Sequence, residues 1–138
     1  MSSAAEARFR VQAPNSTRRV TVVIALDAAG EAVVGRLAVG SDLQCCATRS
    51  GEDLTPRIDA ADLVVLVAGP GGQAHAASTI GEACSRRRVM TTGCIVGAGS
   101  ASDRELSKTL AQVRPWSLMV VIANDDEYIG DMLTALRA

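Results

Sequence analysis

Gly69, Gly71 and Gly72 follow directly on the apolar run Leu63–Ala68 and open onto a stretch, Gln73 to Arg88, that reads as a helix. A strand that turns through glycines into a helix has the form of an anion cradle. Glycine lets a ligand approach the backbone with no Cβ in the way, and the first N–H groups of a helix lack helical partners and point at whatever sits there. The candidate binding groups are therefore Gly69, Gly71, Gly72 and Gln73. The turn holds neither Lys nor Arg, so it is not a P-loop, which ends in lysine, nor does it complete the G-x-G-x-x-G dinucleotide turn. His75, the only histidine, falls in the first turn of the following helix, where an imidazole suits general acid–base work or neutral donation to a ligand. No nucleophile or paired carboxylate stands at a recognisable spacing from it, so a plain helix residue is the simpler reading.

Acidic and amide groups come from two other places. Asp27 follows the first apolar run, and Asn124 and Asp125, with Asp126 and Glu127, follow the last. Such acids suit a divalent cation, but acids at a helix N-terminus also simply match its dipole. Ser78 and Thr79 lie one turn into the third helix and more simply bond back to its backbone. Ser100 and Ser102 read as caps, because no G-x-S-x-G elbow surrounds them. The four cysteines, at 45, 46, 84 and 94, have neither disulfide-framework nor metal spacing. No metal site and no specific cofactor follow from these residues.

The elements that must position these groups show in the apolar pattern. Five apolar segments recur, Val20 to Leu26, Leu43 to Ala47, Leu63 to Ala68, Val89 to Val96 and Leu118 to Ala123, and most are continuous rather than alternating. Such runs mark strands covered on both faces of a parallel sheet. Helix-compatible stretches lie after each: Gly30 to Val39, Glu52 to Asp59, Gln73 to Arg88, Ser102 to Val113 and Glu127 to Arg137. Ser102 and Glu105 have capping-box spacing, and Arg86 to Arg88 complement the negative end of the third helix. Right-handed crossovers then give one α/β, Rossmann-like three-layer sandwich with a five-stranded, mainly parallel sheet over residues 18–138. Residues 1–17, rich in Ser, Ala and charge, read as a flexible leader.

The segment from Ala61 to Val96, ADLVVLVAGPGGQAHAASTIGEACSRRRVMTTGCIV, resembles the signature-loop region of the FtsZ and tubulin family, where an Ala-Asp-hydrophobic strand ends in AGMGGGTGTG. The resemblance covers about a quarter of the chain. It implies the strand order 2-1-3-4-5, with Asp27 facing the glycine turn, and it implies a phosphate-holding role for Gly71 and Gly72. Where the family has glycine or threonine, this chain has Gln73, Ala74, His75, Ala76 and Ala77. The family's first glycine-rich loop is replaced by Asp27-Ala28-Ala29. Weak phosphate affinity and no polymerising GTPase activity are the expectations.

Composition bounds the rest. The 138 residues carry 14 Lys plus Arg against 15 Asp plus Glu, so no global field draws the chain to nucleic acid or to acidic lipid. No run approaches a membrane span and no secretion signal precedes the fold, which reads as cytoplasmic. Three functions compete. The first is binding of a nucleotide or small polar metabolite at the glycine turn without strong catalysis. The second is a non-catalytic adaptor that binds a protein partner or forms a homodimer, and the third is an enzyme using His75 with an aspartate.

Overall fold

The computed structural model describes residues 20–38, 44–48, 51, 53–71, 74–97, 99, 101–123 and 129–133. The expected leader lies outside them. Five strands, β1 (Thr21–Ala25), β2 (Gln44–Ala47), β3 (Leu63–Ala68), β4 (Met90–Val96) and β5 (Met119–Ala123), alternate with four helices. These are α1 (Ala28–Ala38), α2 (Thr55–Asp59), α3 (Ala76–Arg87) and α4 (Asp103–Val113). Residues 129–133 are also helical and are termed α5. Adjacent strands are all parallel and their order is β2-β1-β3-β4-β5. This is a Rossmann-like α/β fold whose switch point falls between β1 and β3.

β3, LVVLVA, is buried at every position. Its β-branched residues suit a pleated strand with helices on both sides. Val64 and Leu66 join Val22 and Ile24 against Ile80, Cys84 and Val113, the layer formed by α3 and α4. Leu63, Val65 and Val67 join Val23 and Ala25 against Val33, Val34, Ile129 and Leu133 of α1 and α5. The even and odd residues of one strand thus build two cores, the period-2 consequence of the pleat. Gly93 of β4 brings α4 close to the sheet, because a Cβ there would lie 2.4 Å from Val113 Cγ1.

Several boundaries differ from the sequence expectation for local reasons. α1 begins at Ala28, not Gly30, because the Asp27 carboxylate accepts the Gly30 N–H at 2.8 Å and takes the N-cap position. α2 begins only at Thr55, with Pro56 in its first turn, where a missing N–H costs nothing. α3 begins at Ala76, which makes His75 its N-cap rather than a first-turn residue. The capping box at α4 is present with both bonds, Glu105 N–H to Ser102 Oγ at 3.2 Å and Ser102 N–H to Glu105 Oε1 at 3.1 Å.

The larger correction concerns β5. Its sequence reads as covered on both faces, yet Met119 is 43% and Ile122 46% exposed, and the preceding Leu118 is 78% exposed. Among the described residues β5 has β4 on one side only, and an edge strand lacks the flanking strand whose side chains would cover its own. Among the described residues, no helix is long and apolar enough to cross a membrane.

Candidate functional site

β1 and β3 end side by side, so Asp27, just beyond β1, reaches the glycine turn just beyond β3. Its carboxylate acts on the turn itself. Oδ1 accepts from Gly69 N–H at 3.2 Å and Oδ2 from the same N–H at 3.0 Å, while Oδ1 also holds Gly30 N–H. Asp27 is buried, and a buried carboxylate bonded to backbone N–H groups takes the place that an anion's oxygens would take.

α4 closes the turn from a second side. Glu105, Thr109 and Gln112, spaced four and three residues apart, share one helical face. Gly71 N–H donates to Thr109 Oγ1 at 2.9 Å and to the Glu105 carbonyl at 3.1 Å. The Thr109 hydroxyl in turn donates to the Gly69 carbonyl at 3.2 Å, and Thr109 is fully buried. Ala74 N–H donates to Gln112 Oε1 at 3.2 Å. That fixes the amide's orientation, so Gln112 Nε2 donates to His75 Nδ1 at 3.2 Å and the imidazole carries its proton on Nε2. The amides of Gly69, Gly71 and Ala74 therefore all have partners within the chain.

The two described glycines of the turn have packing reasons of their own. A Cβ at Gly69 would lie 2.5 Å from Ala29 Cβ. Gly71 adopts φ +74°, and a Cβ there would lie 2.8 Å from Glu105 Oε2. Close approach demands glycine here, and what approaches is the chain itself.

Of the residues singled out from sequence, the fold brings Asp27, Gly69, Gly71 and His75 to one end of the sheet. Gly72, Gln73, Asn124 and Asp125 lie outside the described residues, as do Ser100, Asp126 and Glu127. Thr109 and Gln112 escaped sequence reasoning. Their signal was a polar line along α4, which a solvated helix face would also produce. Ser78 bonds back to the His75 carbonyl at 3.1 Å, as expected.

The thiols of Cys45, Cys84 and Cys94 carry little nucleophilic character. Burial pushes Cys94 up to about 11 and raises Cys84 against a Thr91 hydrogen bond and the Arg87 charge; burial and then neighbouring Cys46 raise Cys45. A thiol so shifted holds almost no thiolate at neutral pH. Among the described residues, no cluster of three or more His, Cys, Asp or Glu could hold a metal ion.

The opposite end of the sheet is open. A cleft of about 420 Å³ lies where β4 and β5 begin, and Arg88, Met90, Trp116 and Leu118 are among its lining residues. Its wall ends at Leu118, the residue that precedes β5. In comparison with known proteins, the chain matches no family model and no curated sequence.

Proposed function

We propose that this chain is a non-catalytic interaction module whose glycine turn holds the fold together and whose apolar sheet edge meets a protein surface. The observation that carries the reading is that, among the described residues of the turn, Asp27, Thr109, Glu105 and Gln112 take the Gly69, Gly71 and Ala74 amides. A phosphate at Gly69 must first displace a buried carboxylate that repels it. His75 and Asp27 are held by Gln112 and by backbone amides respectively, which supports a structural role for both. Cysteines that form no disulfide suit a reducing compartment, which supports a cytoplasmic location.

The competing reading, a nucleotide or small polar metabolite bound at the turn, is tested by melting the protein against nucleotides and phosphorylated metabolites. A ligand that binds only the folded state raises the melting temperature. The interaction reading expects no shift for the wild type. A reproducible rise with any one of these compounds, reduced by Gly71→Val, restores the ligand-binding reading.

A further inference from the structure

The ladder pattern shows which backbone groups of β5 face away from β4. Leu63 N–H donates to the Val20 carbonyl and Leu26 N–H to the Val67 carbonyl, so residues 63, 65 and 67 turn their backbone groups to β1. Val64, Leu66 and Ala68 then face β4, because alternate residues of a strand point opposite ways. Carried through the β3–β4 register, Thr91, Gly93 and Ile95 face β5, consistent with the bond from Leu118 N–H to the Thr91 carbonyl at 2.8 Å. The pairing of Thr92 with Met119 directs Met119, Val121 and Ala123 at β4. Val120 and Ile122 therefore present N–H and C=O away from the sheet.

Resting on the interaction reading above, we propose that β5 pairs antiparallel with β5 of a second copy about a two-fold axis at Val121, joining two sheets into one. Val120 of each copy then exchanges both backbone bonds with Ile122 of the other. Val121 meets Val121 in a non-hydrogen-bonded pair, and Met119 lies beside Ala123. Side chains on each face stay on that face, so the α3/α4 layers adjoin one another, as do the layers that hold α1 and α5.

The strand itself argues for this occupant. Leu118 to Ala123 contains no charge, no proline and no glycine, and so lacks the usual devices that keep an edge from pairing. A partner strand with charged side chains would bury an unpaired charge against Met119 or Ile122. The chain's own β5 matches in length, in charge and in the pairing of larger with smaller side chains. Met119 lies on the α1/α5 face and Ile122 on the α3/α4 face, and both are nearly half exposed, so neither helical layer overhangs the edge. The other edge strand, β2, has only four residues and begins with exposed Gln44. A five-residue seam is smaller than the standard interface of about 800 Å² per partner, so dissociation in the micromolar range is expected.

Sedimentation of the full chain from low micromolar to near-millimolar concentration tests the proposal. Wild type should approach twice its monomer mass. Ile122→Lys should stay monomeric with an unchanged melting curve, and Val120→Pro, which removes an outward-facing N–H together with part of the Val120 packing on the core, should also stay monomeric while remaining folded. Register is tested in a Cys45→Ser background. Val121→Cys should cross-link on mild oxidation, since paired Cα atoms there lie about 4.5 Å apart, whereas Val120→Cys should not, at about 7–8 Å. A wild type monomeric at every concentration, a dimer that survives both edge variants, or cross-linking at 120 in preference to 121 overturns the proposal. A monomer showing no ligand shift removes the second copy alone, while a nucleotide shift removes the interaction reading beneath it.

Discussion

The glycine turn after β3 and the outer side of β5 differ in one respect that matters more than their composition. At the turn, the Gly69, Gly71 and Ala74 amides meet acceptors from β1's end and from α4, and the acceptors themselves are buried or tied down. At β5, the backbone of Val120 and Ile122 faces outward and large apolar side chains flank it. Satisfied polar groups have little to offer a ligand. An edge strand with outward-facing donors and acceptors, clothed in apolar carbon, gains both hydrogen bonds and burial from any strand laid beside it. On the reading proposed above, the region rich in glycine is the structural one and the apolar edge the one that meets a partner.

The contrast breaks most severely at Asp27. Asp27→Ala leaves the Gly69 and Gly30 N–H groups without their shared acceptor, and at about 1–3 kcal/mol for each buried donor urea unfolding should show a loss of about 2–6 kcal/mol. Asp27→Asn keeps an acceptor oxygen and should lose about half as much. If the alanine variant is as stable as wild type, the turn is not held by this carboxylate.

Alkaline pH should give the next largest effect. Cys94 lies between the two regions, paired with Val67 and Val121, and burial holds its thiol near 11 against an ordinary 9.0. The unfolded thiol ionises first, so the stability tied to this group is complete below pH 9 and is lost as pH rises from 9 to about 11. The rise from 9.0 to about 11 corresponds to at most about 3 kcal/mol. Chemical unfolding across that window should be flatter for Cys94→Ala than for wild type.

Thr109→Val removes the hydroxyl that links Gly71 and Gly69 but leaves the Glu105 carbonyl in place for Gly71 N–H, so a loss of about 1–2 kcal/mol by urea unfolding is expected. At the open end, Arg88 closes α3 with φ 58°, a conformation that costs a side-chain-bearing residue about 1 kcal/mol. Arg88→Gly should recover up to that amount, seen as a raised melting temperature. The smallest effect on folding belongs to Ile122→Lys. Its free energy of unfolding at low concentration should change by less than about 0.5 kcal/mol, as for an exposed site, while self-association is abolished.

The sequence by itself determined the architecture. Continuous Val, Ile and Leu runs separated by helix-compatible stretches leave a parallel, doubly wound sheet as the economical solution, and Ser102 with Glu105 declared the start of α4. These signals are local, carried by residues within one element. It also brought Asp27 to the turn, once the strand order was in hand. Only the tertiary structure decided what the glycines are for, because a residue without a Cβ shows that something comes close and not what comes. At Gly69 it is Ala29, and at Gly71 it is Glu105. Tertiary structure alone also separated β3 from β5, whose sequences LVVLVA and MVVIA read alike. One is buried among neighbours on every side, and the other stands at the edge, where position in the sheet rather than side-chain type decides exposure.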